Sequence, residues 1–299
     1  MHNAVSRIGE RMYYYDFSIA GLRLRVTSEF ALQDLFELKH YATDYRPELP
    51  CDVHYTLTYL PEDWTVRGEL IMKDRQNAVY RWQDRQYRYY FWNVLSEEKF
   101  IVSCCDQQDL SRCTIYLQRP DVQRLLPQFR LSAFFALERI LLEREAFQLH
   151  AAVIAWQGQG ILFTAPSGTG KSTQADLWQR LEGAEVLNGD RAIIRCEGPI
   201  TTVCGSPYAG SSGIYTNEEV PVRAIVALSQ SAENKVERLS ALAAFQWLYP
   251  QTTVLSWDHE FVDGISGLLL KLIDSIPIYH LACRPDADAV AVLKQELTK

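Results

Sequence analysis

The sequence lacks any apolar stretch that approaches the roughly 18 consecutive residues needed by a membrane-spanning helix. Its first residues also lack an apolar segment after a basic start, which is the pattern of a secretory signal. From these two absences we expect a cytoplasmic protein with no membrane partner.

A basic patch is absent as well. The 299 residues include 30 Lys and Arg against 37 Asp and Glu, a formal net charge of −7. Because nucleic-acid binding leaves a basic footprint on a domain, we expect no nucleic-acid partner. The sequence has no internal repeat or low-complexity segment. A hydrophobic content of 47% over this length predicts two globular domains with a large core.

No CxxC spacing occurs among the seven cysteines, and their number is odd. Both features favour free thiols in a reducing compartment over a disulfide framework. Cys104, Cys105 and Cys113 are close enough in sequence to be considered as soft metal ligands. Because adjacent residues of a strand point to opposite faces, we expect buried thiols instead of a shared metal.

Residues 1–120 are predicted to form a β-rich N-terminal domain. Runs rich in Tyr, Val, Ile, Phe and Thr predict a meandering antiparallel sheet, with strands at residues 13–19, 22–26, 53–59, 87–92, 100–104 and 114–117. The apolar spacing predicts a helix over residues 28–41. We expect the aromatic residues to pack a sheet face, with stacking on a ligand as the alternative, at Trp82, Tyr87, Tyr89, Tyr90 and Trp92.

Residues 121–299 are predicted to form an α/β domain. A helix over residues 125–147 is followed by a hairpin of two strands, residues 149–156 and 160–164. Further strands are predicted at residues 185–190, 191–196, 224–228, 236–239 and 278–281. Further helices are predicted at residues 172–181, 241–249, 261–275 and 287–298, the third of them with an N-cap in the acidic segment 257–260.

The sequence Ala-Pro-Ser-Gly-Thr-Gly-Lys-Ser occupies residues 165–172, between a predicted strand and a predicted helix. It predicts a phosphate-binding loop, because the glycines let backbone N–H groups turn toward an anion at a helix N-terminus. Ala165 stands where glycine is usual, and a small side chain is tolerated there. A glycine-rich turn without a ligand is the alternative. The residues predicted to bind the nucleotide are Ser167, Gly168, Thr169, Gly170, Lys171, Ser172 and Thr173.

Particular roles follow from the loop. Lys171 is expected to reach the β and γ phosphates, and the Ser172 hydroxyl is expected to hold Mg²⁺. An enzyme with this loop needs a second carboxylate near the metal, commonly at the end of a downstream strand. Asp190 is the candidate metal ligand because it follows an apolar strand, with a turn aspartate after Asn-Gly as the alternative.

Three segments together resemble the HPr kinase/phosphorylase family, whose core is related to phosphoenolpyruvate carboxykinase. They are Leu-His-Ala-Ala at residues 149–152, the loop at residues 165–173, and Asn-Gly-Asp-Arg at residues 188–191. The resemblance covers residues 149–299 and implies a P-loop kinase core of the α/β class. It also implies ATP and Mg²⁺ as cofactors, a serine hydroxyl as acceptor, and catalytic roles for His150, Lys171 and Asp190.

The chain departs from that family in two places. Relatives often have two consecutive aspartates before the arginine, whereas this chain has Gly189 and Asp190. Asp190, the expected metal ligand, is thus retained, and Gly189 stands where the family has its general base. The Val-Arg-Pro-Gly-Arg stretch of the HPr-specific enzymes is also absent, which disfavours the carrier protein HPr as the substrate.

The sequence therefore favours an ATP- and Mg²⁺-dependent kinase that acts on a hydroxyl of a peptide, protein or small molecule. A nucleotide-binding accessory protein or pseudokinase in a peptide-modification pathway is the alternative, motivated by Gly189. A simple NTPase switch ranks last, because no water-positioning residue is evident. Arg223 or Arg284 is a candidate for additional charge, and Ser206 and Tyr208 are candidates for the acceptor border. A homo-oligomer is left open, because related enzymes often assemble.

Overall fold

The structure is a computed structural model that describes residues 3–7, 10–32, 35–93, 96–106, 108–118, 131–208, 210 and 212–299. Backbone packing divides the chain into two units, Met1–Ile140 and Leu141–Lys299. The domain boundary expected between residues 120 and 121 lies outside the described residues. The chain is of the mixed α/β class, with two large sheets and five α-helices in its described part.

The first unit contains a ten-stranded sheet. Its strands are β1 (Asn3–Arg7), β2 (Glu10–Ile19), β3 (Leu22–Ser28), β4 (Ala42–Thr43), β5 (Val53–Tyr59), β6 (Glu69–Lys73), β7 (Asn77–Trp82), β8 (Arg85–Asn93), β9 (Ser96–Asp106) and β10 (Arg112–Leu117). The spatial order is β1-β2-β3-β5-β10-β9-β8-β7-β6, and β4 pairs with β2. Buried and half-buried residues alternate along β3, as expected for a sheet with one face in the core.

The predicted antiparallel meander is wrong at β5. This strand runs parallel to both of its neighbours, β3 and β10. Parallel neighbours require a crossover connection, and the long segment between β3 and β5 supplies one. The remaining neighbours in the sheet are antiparallel, as predicted.

The helix predicted over residues 28–41 is also wrong in the described part of that segment. Strand β3 continues to Ser28, and only a 3₁₀ turn forms later, at Phe36–His40. The Ser28 hydroxyl donates to the Phe30 carbonyl at 2.7 Å, and the Tyr15 hydroxyl accepts from the Leu32 amide at 2.9 Å. Such side-chain bonds occupy backbone groups that a helix would need.

The aromatic residues of the first unit pack a sheet face, which confirms the main expectation. Tyr87 and Tyr89 are buried, and the Trp64 indole donates to the Tyr89 hydroxyl at 3.1 Å. A cavity of about 200 Å³ lies beside these rings and Trp82. Tyr90 makes an edge contact with Phe134, and the Trp92 side chain lies outside the described ones.

The cysteines behave as buried or half-buried thiols. All seven are free, and the described residues contain no cluster of three or more potential metal-ligating side chains. The Cys105 and Cys113 sulfur atoms lie 2.8 Å apart across paired strands β9 and β10, whereas Cys104 contacts Tyr87. The neighbours Cys104 and Cys105 therefore have different surroundings, as the strand argument predicted.

The single helix predicted over residues 125–147 is wrong in its described part, and residues 125–130 lie outside the described ones. A 3₁₀ turn (Leu131–Phe134) is followed by the short helix α1 (Glu138–Glu143). Ala136 and Glu145 have left-handed backbones with φ of 48° and 47°. Because this conformation cannot continue an α-helix, the chain turns at both positions and then enters β11.

The second unit is an eight-stranded sheet with helices on both faces. Its strands are β11 (Ala146–Trp156), β12 (Gln159–Thr164), β13 (Glu185–Asn188), β14 (Arg191–Arg195), β15 (Thr202–Cys204), β16 (Glu219–Gln230), β17 (Lys235–Arg238) and β18 (Ile278–Cys283). Its helices are α2 (Lys171–Glu182), α3 (Ala241–Leu248), α4 (His259–Ser275) and α5 (Ala287–Leu297). The predicted elements of this unit are confirmed, including the Asp258 N-cap of α4, whereas the short strand β15 was not predicted.

Strand β11 has eleven residues and pairs with three other strands of this sheet. Residues 146–150 pair with β14, and residues 151–156 pair with β12. Strands β12, β16 and β18 run parallel to one another. Along the path β12-β11-β14-β15-β16-β18-β17, only β16 and β18 are parallel neighbours, and the additional pairing of β12 with β16 is parallel as well.

Both faces of β11 are buried, and alternate residues belong to different cores. Ala151 and Val153 face the core that contains α3 and α4, whereas Ala152 and Ile154 face the core that contains α2 and α5. This layering of helices on two sides of a sheet is typical of α/β proteins. No helix in the described part of the chain has the length and apolar character needed to cross a bilayer.

Trp178 on α2 is expected to be a main anchor of this layering, because it is fully buried against Trp156 and Phe163. Trp178→Ala should lower the free energy of unfolding by about 3–5 kcal/mol, measured by chemical denaturation. Leu181→Ala on the same helix is the matched control, because Leu181 is 50% exposed, and it should change stability by less than about 0.5 kcal/mol. Equal losses in the two variants would contradict the assignment.

Candidate functional site

A glycine-rich loop, residues 165–170, joins the end of β12 to the start of α2. Gly168 and Gly170 have φ of 79° and 121°, and a Cβ at either position would meet no atom within 4 Å. The left-handed backbone, and not crowding, therefore favours glycine here. Gly170 is the N-cap residue of α2 and gives no side-chain cap. The first N–H groups of this helix therefore receive no side-chain cap from Gly170.

Lys171 is the first residue of α2 and is buried. Its ammonium donates to the carbonyl oxygens of Ala165 at 2.9 Å and Pro166 at 3.4 Å, so the side chain folds back across the glycine-rich loop. Burial lowers the pKa of Lys171, and the negative charge of Asp190 opposes this effect. Within the described structure, the ammonium has neutral oxygens as its hydrogen-bond partners and no carboxylate in ion-pair contact.

The remaining residues predicted to bind a nucleotide lie in this loop or in the first turn of α2. Ser167 and Gly168 are exposed, and Thr169 and Gly170 are half-buried. Ser172 and Thr173 are exposed on the first turn of α2. The structure thus brings the seven residues together, although no hydrogen bond joins Ser172 to Asp190 among the described residues.

Asp190 and His150 are brought together by strand register. Asn188 pairs with Val153, and Arg191 pairs with His150, so Asp190 stands opposite Ala151. The Ala151 amide donates to the Asp190 carbonyl at 2.8 Å, which continues the ladder through this point. The His150 Nε2 and Asp190 Oδ1 atoms lie 3.2 Å apart.

Asn188 orients this segment, a role that the sequence analysis did not assign. It is fully buried, and its side-chain oxygen accepts from the backbone amide of Asp190 at 3.0 Å. Its side-chain nitrogen donates to the backbone carbonyl of Ser206, also at 3.0 Å. An Asn side chain that bonds the backbone two residues on is a recognised turn signal, so this residue could have been identified from the Asn-Gly pair.

The electrostatics of the site keep Asp190 negatively charged. The hydrogen bond from His150 is the main reason that the pKa of the Asp190 carboxyl is lowered, and the charges of Arg191 and Lys171 act in the same direction. The His150 Nδ1 atom faces the side-chain oxygen of Gln251 at 3.2 Å. Gln251 lies about a hundred positions further along the chain, and nothing in the sequence indicated this contact.

Two cavities open at the site. The loop cavity, of about 430 Å³, is lined by residues 168–170 of the glycine-rich loop, residues 173–174, residues 228 and 230–231, and residues 283–285. The His150 cavity, of about 340 Å³, is lined by His150, Asp190, Arg191 and residues 250–254. Both volumes are within the range of small-molecule sites, and the two cavities share no lining residue.

Asp190 and Ser172 carry oxygen atoms of the kind that bind a magnesium ion. Asp190 offers an ionised carboxylate and Ser172 offers a hydroxyl, and Mg²⁺ prefers oxygen ligands. In nucleotide enzymes this ion is commonly held by one or two carboxylates together with substrate phosphates. The lack of a larger acidic cluster among the described residues is compatible with that mode.

The other candidate residues have structural partners. Arg284 pairs with Asp286 at 2.7 Å and lines the loop cavity. Arg223 lies over the Trp156 ring and donates to the Leu297 carbonyl at 2.5 Å. Ser206 donates to the Arg191 carbonyl, and the Tyr208 carbonyl accepts from the Arg191 amide. Ser206 and Tyr208 therefore support the segment that carries Asp190.

Comparison with known proteins gives little more. No family model matches the chain, and no curated protein sequence matches it either. The structure is similar to that of the Hpr(Ser) kinase/phosphatase from Coxiella burnetii, with 11% sequence identity, over 50% of this chain and 87% of that chain. The TM-score is 0.29. A similarity at this level establishes neither a shared fold nor a shared activity.

Gly210 is expected to be required for the position of Asp190. It has φ of 55°, and a Cβ there would lie 2.7 Å from the Asp190 Cγ atom. Gly210→Ala should therefore destabilise the protein more than Gly213→Ala, whose φ of 64° carries similar strain but whose Cβ would meet open space.

Chemical denaturation measures the difference between these variants, and the His150 ring signals in NMR report whether Asp190 has moved. We expect the ring signals to shift in Gly210→Ala and to stay unchanged in Gly213→Ala. Equal stabilities together with unchanged ring signals would show that Gly210 does not constrain Asp190.

Proposed function

We propose that the second unit is a Mg²⁺-dependent kinase that transfers the γ-phosphate of ATP to a hydroxyl, with serine as the first candidate. One observation carries the proposal. A left-handed glycine-rich loop follows β12, its Lys171 ammonium is buried, and the ionised Asp190 carboxylate pairs with His150 close enough to Lys171 for their charges to interact. This combination offers an anion cradle, a positive charge and a metal ligand near one another.

The chain's own groups account for phosphate binding. The loop amides and the N-terminus of α2 would hold phosphate oxygens. The Lys171 ammonium would exchange its two carbonyl partners for phosphate oxygens, which are stronger acceptors because they are charged. The loop cavity is large enough to receive the rest of the nucleotide.

Ser172 and Asp190 would hold Mg²⁺, which neutralises charge on the phosphates when it is bound. In the transfer step, the acceptor oxygen forms a bond to the γ-phosphorus while the bond from that phosphorus to the bridging oxygen breaks. ADP leaves with the electron pair of the broken bond. His150 would receive the proton of the acceptor hydroxyl, because its side chain lines the His150 cavity, whereas Asp190 would stay ionised as the metal ligand.

The accessory or pseudokinase alternative is supported by one observation. Gly189 has no side chain, and its amide donates to the Ile214 carbonyl at 3.3 Å, so its position serves the backbone. A nucleotide-binding protein without turnover would need the loop but not a second carboxylate. Because phosphoryl transfer depends mainly on positioning and charge neutralisation, we favour an active kinase.

The decisive test is Mg·ATP binding by calorimetry, together with phosphate transfer to serine-bearing peptides and metabolites followed by mass spectrometry. Lys171→Ala should weaken Mg·ATP binding at least about tenfold and abolish transfer, because a charged hydrogen-bond donor to phosphate is lost. Lys235→Ala is the control, since Lys235 is an exposed lysine paired with Glu237. Unchanged affinity in Lys171→Ala would refute the proposal, and tight binding without any transfer would favour the accessory role.

Gly189→Asp should raise the transfer rate, because a carboxylate beside Asp190 would supply a further proton acceptor. General-base assistance is commonly worth about 10²–10⁴-fold, so a tenfold gain in kcat is a conservative expectation. Gly189→Asn is the matched control, with nearly the same shape and no basic group. If both substitutions change the rate equally, the missing carboxylate is not what limits this chain.

A further inference from the structure

The His150 cavity gives the proposed kinase a defined acceptor side. It shares His150 and Asp190 with the site described above, and its other lining residues are Arg191 and residues 250–254. A volume of about 340 Å³ is near the lower end of the range for ligand pockets. Such a space suits a single amino acid or the end of a chain better than an internal segment of a folded protein.

Arg191 provides a positive charge at this cavity, and this charge acts on the neighbouring Asp190 without an ion-pair contact between the two side chains. One of its terminal nitrogens donates to the Thr253 hydroxyl at 3.2 Å. Nowhere in the described structure does a carboxylate lie within ion-pair distance of Arg191. Four other arginines, in contrast, form ion pairs with carboxylates: Arg25 with Asp16, Arg88 with Glu138, Arg195 with Glu219, and Arg284 with Asp286.

The wall of the cavity formed by residues 250–254 is held against β11 by backbone contacts. Thr253 donates from its amide to the Gln148 carbonyl at 3.0 Å, and Thr252 forms a bridge with Leu149 on β11. The Thr253 hydroxyl in turn faces the Gln148 side-chain oxygen at 3.4 Å. Thr253, whose hydroxyl accepts from Arg191, is therefore fixed relative to β11. The guanidinium is thus oriented before a ligand arrives.

We propose that the His150 cavity binds the phosphate acceptor, and that the acceptor carries a carboxylate next to its hydroxyl, which Arg191 holds. A guanidinium can bind a carboxylate through two parallel hydrogen bonds, and this pairing would direct the hydroxyl toward Asp190 and His150. A singly charged carboxylate suits the cavity better than a phosphate dianion, because the negative Asp190 lines the same space. The acceptor is thus a hydroxy amino acid or a peptide with a C-terminal serine.

This inference rests on the proposed function, and the test separates the two. Calorimetry with Mg²⁺ and a non-hydrolysable ATP analogue first measures nucleotide binding. Binding of N-acetyl-L-serine, N-acetyl-L-serinamide, and a tripeptide ending in serine as acid and as amide is then measured on that complex. We expect each acid to bind at least tenfold more tightly than its amide, and the tighter of the two acids identifies the source of the carboxylate.

Arg191→Gln should reduce the acid-to-amide ratio to nearly one while the nucleotide affinity stays within about twofold, which also verifies the fold. Arg195→Gln is the matched control, because Arg195 lies on the same strand, is paired with Glu219 and does not line the cavity. Acids that bind no better than amides, or a ratio unchanged in Arg191→Gln, would overturn the inference. Absence of nucleotide binding would instead refute the proposed function itself.

Discussion

The burial of β11 on both faces is the constraint on which the second unit depends. Ala151 and Val153 are buried in one core, and Ala152 and Ile154 in the other, so this strand cannot slip by one residue without moving every side chain to the wrong face. The same strand pairs with β14 along residues 146–150 and, beyond His150, with both β12 and β13. A fixed register thus places His150 at the junction between these pairings.

The candidate site collects around that junction. Strand β12 ends there and leads into the glycine-rich loop, and the turn between β13 and β14 carries Asp190. Asn188 shapes this turn through hydrogen bonds from buried atoms, which are costly to leave unmade. A rigid sheet therefore supports a loop and a turn that supply the chemistry, an arrangement common among binding sites.

Secondary structure was predictable where one local signal dominated. In the second unit, alternating or continuous apolar runs and helical spacing identified the strands and helices, because packing on two faces agrees with local preference. In the first unit, the side-chain bonds of Ser28 and Tyr15 replaced the helix suggested by the spacing. The left-handed residues Ala136 and Glu145 likewise interrupted a segment whose apolar period alone was helical.

The sequence by itself determined the α/β class of the second half, the β-rich first half and the glycine-rich loop, because these follow from composition, periodicity and short local spacing. It also indicated His150 and Asp190 as separate candidate site residues, His150 through a resemblance and Asp190 through its position after an apolar strand as well. Only the tertiary structure decided that they lie 3.2 Å apart, that Gln251 and Gly210 border them, and that Arg191 faces a cavity without a carboxylate partner in the described part of the chain. Such contacts join residues that are far apart in sequence, and local pattern carries no information about which distant strands and loops will pack together.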